Sequence, residues 1–491
     1  MRVLFIYPDI SSWSASGIGI IGYSGWYSFG LGYLSTALKK AGHITGLYHI
    51  TKMPGENEFI QKIKSFNPGL IGFSLNSNSF FYLPKMAEWI DRNLGIKVIC
   101  GGPHPTLNPQ ETLAIRGVNM VCAGEGEEPL VELCAALNNG SDISKIKNIW
   151  VREGDKLTVN PLRPANLNLD TLGLPDRSIF NFAKLELSKI GIYSFMASRG
   201  CPYDCSYCCN NKLMKISGNN AGVRFRSVDN LIQEISNVII KYRLPKSLLF
   251  EDNILPLNKK WFKEFCERFA KEIRLPFAIN SSANYINEET VGLLKLAGCE
   301  SVKIGVETGN EVIRRKILGK NISNREIITA FDLLNRSGIN AASYNMVGLP
   351  FETTRDMLDT IKFNSRLKIQ STIAQICYPY KKTALYEFCK KNEILKDIAI
   401  PNIDRNSILI NKRLALNQIL FFQLFFNYLV RIYSKLDKRK NKAIKAVDSI
   451  LSSKIIVFAY PALSIIVDFY RISKYVILRS LLNICRPAAN K

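Results

Sequence analysis

Apolar residues in the first 145 positions fall into short runs separated by stretches whose apolar positions recur every three or four residues. Val3 to Tyr7, Leu70 to Leu75 and Lys97 to Cys100 read as strands, with helical patterns at Gly32 to Ala41 and Leu83 to Asn93. A short strand at Met120 to Cys122 and a helix at Glu128 to Ala136 follow. This alternation predicts a doubly wound parallel α/β sheet of flavodoxin-like type. The opening MRVLFIYPDI suits a first strand and lacks the apolar core and cleavage site of a signal peptide. Val151 to Asn181 is rich in Pro, Asn and Asp, as an extended linker would be.

A second alternating series begins at Ile192 to Ala197 and continues with strands at Ser247 to Glu251, Phe277 to Ser281, Ser301 to Glu307, Asn340 to Val347 and Thr372 to Tyr378. Helical patterns separate them, which predicts a partial barrel of six β/α units with its chemistry at the C-terminal strand ends. The expected divisions are a doubly wound domain over 1–145, a linker over 146–190, a barrel over 191–385 and a mostly helical remainder over 386–491. A chain of 491 residues, 47% of them hydrophobic, has enough apolar surface for two or three cores.

The formal charge of +24 implies an anionic partner. From Lys412 to Lys491 there are 15 Lys and Arg against 3 Asp and no Glu, a balance of +12. The same region holds two apolar runs, Leu414 to Val430 and Ile455 to Val467, the second containing Pro461. The first has 17 residues, the lower bound of the roughly 17 to 25 a spanning helix needs. With Lys435, Lys438, Arg439, Lys440, Lys442 and Lys445 between the runs, residues 412–491 are expected either to rest on anionic lipid or to cap the barrel. Twelve cysteines in so long a chain, three of them clustered, fit a reducing cytoplasm, and the lipid reading of 412–491 would place the chain at the inner face of the membrane.

The clustered three lie in ASRGCPYDCSYCCN as Cys201, Cys205 and Cys208. Three thiolates on one loop after a strand can bind three irons of a cubane and leave the fourth open. Structural zinc would need four ligands, usually in two separated pairs. Cys209 adjoins Cys208 too closely to turn onto the same metal, and His43, His49 and His104 all lie in the N-terminal part.

With Tyr207 before the last cysteine, CxxxCxxC resembles the signature of the radical S-adenosylmethionine (SAM) superfamily. That resemblance implies a [4Fe–4S] cluster whose free iron chelates SAM, an external electron donor of flavodoxin or ferredoxin type, and cleavage to a 5′-deoxyadenosyl radical. It makes Tyr207, Glu251 and Asp252 of LLFEDN, Glu307 of SVKIGVETGN and Gly348 of NMVGLP the candidates for holding SAM. Arg199 is expected to balance the charge of the cluster.

In the first domain a ligand belongs at the carboxyl ends of the strands, where Ser74, Asn76, Gly101, Gly102 and Gly124 are small. The segments GLGYLSTALKKAGH, CGGPHPT and CAGEGEEPLVEL resemble cobalamin-binding domains that precede radical SAM barrels, which adds His104 and Glu125 to that set. The usual Asp-x-His-x-x-Gly loop is absent, since PDISSWSASG has no His, so cobalamin would bind without that lower ligand. Over residues 1–385 the order of modules resembles the class B radical SAM methyltransferases, which implies methyl transfer to an unactivated carbon of a lipid or secondary metabolite. A cobalamin-containing cyclase or oxidase is the nearer rival and a tRNA methylthiotransferase the more distant one. Cys100, Cys122 and Cys134 form no second cluster motif, so nucleic acid is not the expected partner.

Overall fold

The computed structural model describes residues 1–10, 26–216, 222–396, 406–436, 441–453 and 455–465. The first sheet contains β1 (Arg2–Pro8), β2 (Ile44–Ile50), β3 (Leu70–Ser74), β4 (Val98–Gly101), β5 (Met120–Cys122), β6 (Ile149–Glu153) and β7 (Lys156–Thr158). Their order is β2-β1-β3-β4-β5-β6-β7, parallel through β5 and antiparallel thereafter. The doubly wound expectation holds, and two strands extend it. β2 (ITGLYHI) is an edge strand whose residues are mostly half-buried, so it lacks the continuous apolar run that marked its neighbours. β6 and β7 lie inside or beside the stretch expected to be linker, and they carry the first sheet past the boundary at 145 to Thr158.

The second sheet contains β8 (Ile192–Phe195), β11 (Ser247–Phe250), β12 (Phe277–Ser281), β13 (Cys299–Glu307), β14 (Asn340–Val347) and β15 (Ser371–Ile376). All pair in parallel in chain order, and β8 and β15 do not meet, so the barrel is a six-stranded open half. A two-residue antiparallel pair, β9 (Ser198–Arg199) with β10 (Arg224–Phe225), brackets the cysteine loop. Strand alternation sets the two faces. Val302, Ile304 and Val306 are fully buried against the helices, which leaves Lys303, Gly305 and Glu307 on the opposite, concave face.

The linker is fixed by burial of charge. Glu234 accepts from Arg177 at 2.7 Å and also pairs with Arg226. Arg177 lies among aromatic rings, 4.5 Å from the Phe195 centroid and 4.6 Å from that of Tyr27. The helix Leu416–Leu436 buries Phe422, Phe426, Val430 and Tyr433 in a cluster with Met357, Ile361 and Ile376 of the barrel. The first C-terminal apolar run is therefore a cap on the barrel wall, and its apolar face is not available to lipid.

Candidate active site

The cysteine loop leaves β9 and returns through the helix Asn210–Ile216. Cys201, Cys205 and Cys208 are half-buried and unpaired by disulfide. Burial raises Cys201, and raises Cys205 to about 11. A hydrogen bond with Cys209 and burial push Cys208 up, while the same bond lowers Cys209 to about 7. Among the described residues no three His, Cys, Asp or Glu side chains converge as ligands of one ion do. A cubane places its three thiolates on three separate irons, and three soft donors without a fourth suit that group better than zinc.

Hydrogen bonds of Ser206 latch this loop to the segment after β13 and to the helix Ala384–Lys391 after β15. Ser206 N donates to Leu318 O at 2.9 Å, Ser206 Oγ donates to Ile317 O at 2.6 Å, and Leu385 N donates to Ser206 O at 2.8 Å. Tyr207 Oη donates to Glu307 Oε1 at 2.9 Å. Lys320 Nζ donates to the same carboxylate oxygen at 2.8 Å and to Gly305 O at 2.7 Å. Glu307 stands at φ +67° next to a register shift in β13, a left-handed conformation that costs a non-glycine residue about 1–3 kcal/mol. The bulge re-aims the carboxylate toward the cluster loop. A Cβ at Gly305 would meet Glu307 Oε1 and Lys320 Nζ, so a side chain there would have to push this pair aside. Arg314 is not the partner of Glu307. It is fully buried and donates to Thr308 O and Ile322 O, bracing the loop from within. Lys320 was missed in the sequence, although its place in ILGK after the Glu307 segment was a usable signal.

Two SAM candidates have close partners within the chain. Asp252 is 2% exposed and accepts from Ala197 N at 3.0 Å and from Ser198 Oγ. It ties the end of β8 to the cysteine loop and is enclosed by those bonds. At Gly348, φ is +72° and the space for a side chain is filled by Ile419 of the capping helix. Glycine there answers to the left-handed backbone and to that packing. Glu251 stays on the concave face, with Oε1 buried and without a hydrogen-bond partner. Burial raises its carboxyl against the opposing pull of Lys303, and burial lowers Lys303.

At the strand ends of the first sheet, Ser74 and Gly101 are paired in register. Asn76 spends its side chain capping the short helix Ser77–Phe80, a local task that competes with ligand contact. Gly102 has φ +102°, and a Cβ there would lie 2.6 Å from Leu75 O, so this glycine serves the approach of two strand ends. Gly124 N donates to Thr106 Oγ1. His104 is 6% exposed, stacked on Phe80 at 3.9 Å, and has Nδ1 3.2 Å from Ser77 Oγ. Its Nε2 is buried without a hydrogen-bond partner, and burial lowers the ring to about 4. Glu111 Oε2 lies 3.8 Å from that nitrogen, and a neutral imidazole beyond β4 that makes no hydrogen bond through Nε2 fits a corrin contact. Residues 11–17, where the usual cobalt-ligating loop falls, lie outside the described residues. A cleft of about 260 Å³ beside Gly124, Glu125, Asn148, Asn166 and Ile216 is too small to enclose a corrin.

Glu125 and Arg199 join the two modules. Arg199 donates to Glu125 at 3.0 Å and to Glu127 at 2.7 Å, and Arg224 donates to Glu125 at 2.7 Å. Burial would raise Glu125, but its bonds to Arg224 and Arg199 hold it below the usual carboxylate value. Arg199 thus faces carboxylates of the first domain in place of the expected cluster charge, and Glu125 is engaged as its partner. Lys381 adds a second bridge, to Glu111 at 2.6 Å.

Residues 196–363 match the radical SAM superfamily and residues 20–134 match the B12 binding domain. An uncharacterised methyltransferase of Pyrococcus horikoshii is 27% identical over 402 residues, covering 80% of this chain and 84% of the relative. An anaerobic magnesium-protoporphyrin IX monomethyl ester cyclase of Cereibacter sphaeroides is 24% identical, covering 74% of this chain and 59% of that one. The radical SAM methyltransferase TsrM of Kitasatospora setae, solved with cobalamin and a [4Fe–4S] cluster, superposes with a TM-score of 0.63 at 15% identity, covering 81% of this chain and 79% of that one. The chain is a radical SAM enzyme with an N-terminal B12 binding domain, and the cofactors these two modules imply are a [4Fe–4S] cluster, SAM and cobalamin.

Proposed function

We propose that the enzyme transfers a methyl group to an unactivated carbon of a small-molecule or lipid substrate. The observation that carries this reading is the joining of the two modules. The glutamates after β5 grip Arg199 and Arg224 beside the cysteine loop, so the strand ends of the B12 domain border the mouth of the half-barrel. When bound, the cluster, SAM and cobalamin would supply a 5′-deoxyadenosyl radical and a transferable methyl group.

The chain's own residues divide the remaining work. Cys201, Cys205 and Cys208 are the cluster ligands in this reading, and Tyr207 fixes their loop against Glu307. Glu307 and Glu251 offer carboxylate oxygens for the hydroxyls and ammonium of SAM, and Lys320 is the matching cation for its carboxylate. His104, with Gly101 and Gly124 at the neighbouring strand ends, would contact the corrin. Electrons come from an external flavodoxin- or ferredoxin-type donor.

Anaerobic reconstitution followed by turnover with methyl-labelled SAM tests the proposal. It expects label in the product together with 5′-deoxyadenosine and S-adenosylhomocysteine. Product without label would overturn methyl transfer and favour the second reading, a cyclase or oxidase, which the similarity to the anaerobic cyclase supports.

A further inference from the structure

The second C-terminal apolar run is arranged differently from the first. The segment Ile455–Ile465 follows the helix Asn441–Ser452 after a bend of 82°. Its inner side is anchored to the barrel cap, with Ile456 buried and Tyr460 and Leu463 packed on the same cluster as Phe422 and Phe426. Its outer side is exposed at Ile455, Phe458, Pro461, Ala462 and Ile465, a spacing of three and four that defines one helical face. Phe458 is 79% exposed and Ile465 70%. No charged residue occurs between Ile455 and Ile465. A helix facing water would carry its polar residues outward, whereas this one is apolar on both sides.

Its surroundings are basic. Lys442 and Lys445 are exposed on the preceding helix, and Arg431 and Lys435 on the capping helix. Ile450, 57% exposed, extends the apolar stripe to the bend. Among the described residues no single helix is long and apolar enough to cross a bilayer. An apolar stripe set in a cationic field fits a surface that is acidic outside and apolar just beneath. A nucleic acid would satisfy the lysines and leave Phe458 in water. We propose that Ile455, Phe458 and Ile465 insert into an anionic lipid surface while the adjoining lysines and arginines hold its headgroups, so that the enzyme works docked on a membrane. The inference does not depend on the methyl-transfer reading.

Flotation of the full-length protein with liposomes tests it without turnover. Truncation after Lys412 is unsuitable, because it would strip the cap from the barrel, so point variants are used. The wild type should float with vesicles of equimolar phosphatidylglycerol and phosphatidylcholine, and not with phosphatidylcholine alone, and should be released as salt rises. Phe458→Glu should weaken binding roughly tenfold or more, Phe458→Leu should retain it, and Lys442→Glu with Lys445→Glu should abolish the preference for anionic vesicles. Circular dichroism confirms that each variant is folded. The proposal is overturned if the wild type does not float, if Phe458→Glu floats as well as the parent, or if neutral vesicles bind equally. It is also overturned if sedimentation shows a dimer that Phe458→Glu dissociates, which would assign the stripe to a second copy.

Discussion

Replacing Glu234 with alanine should be among the most destabilising single changes in the barrel. The carboxylate is 2% exposed, and the side chains of Arg177 and Arg226 are 4% and 2% exposed. Both guanidiniums lean on this one anion. Arg177 otherwise donates to Ser194 O, and Arg226 to Asn230, neutral acceptors that cannot offset a buried charge. Removing one member of a buried pair costs about 3–5 kcal/mol because the other is left uncompensated. Here two cations are stranded, so the upper end applies, about 5 kcal/mol, against a usual total of about 5–15 kcal/mol. With a urea slope of about 3 kcal/mol per molar, the unfolding midpoint should fall by roughly 1.5 M. Tryptophan fluorescence reads the transition, since Trp261 Nε1 donates to Arg226 O at 2.7 Å inside this cluster. Glu234→Gln, which keeps an acceptor, should lie between the two. A midpoint shift in the alanine variant equivalent to less than about 1 kcal/mol would refute the reasoning.

Further outcomes are expected at the site. Cys201→Ala, Cys205→Ala or Cys208→Ala should each abolish iron retention after reconstitution, whereas Cys209→Ala should keep it, as iron and sulfide analysis would show. Lys320→Met strands Glu307 beside Tyr207, and Gly305→Ala drives a methyl group into the same pair. Both should raise the Kd for SAM tenfold or more, measured by equilibrium dialysis, with the cluster still present. Glu352 is completely buried, which pushes its carboxyl up to about 8. The folded chain therefore holds a proton that the unfolded chain releases near the ordinary value of 4.5. Stability should fall as pH rises through that interval, and Glu352→Gln should remove the loss. The variant's advantage over the parent should grow by about 3 kcal/mol between about pH 5 and pH 8 in urea unfolding, and a constant difference would contradict the assignment.

The sequence by itself determined the two α/β modules, their order and the three-thiol loop. Strand period, helix period and the spacing of Cys201, Cys205 and Cys208 are local properties, and each survives reading in one dimension. It missed β2, whose residues are half-buried at a sheet edge, and β6 and β7, whose pairing with β5 depends on a partner distant in the chain. Tertiary structure alone decided what each polar residue touches. Asp252 and Glu251 are neighbours in sequence, yet one is consumed by Ala197 and Ser198 while the other keeps a free oxygen on the concave face. The partner of Glu307 is Lys320 and not the nearer Arg314, because the bulge in β13 turns the carboxylate toward the cysteine loop. The two C-terminal apolar runs look alike in composition, but the first closes on the barrel and the second leaves an apolar face outward. Burial is a property of the surface opposite, and only the folded chain supplies that surface.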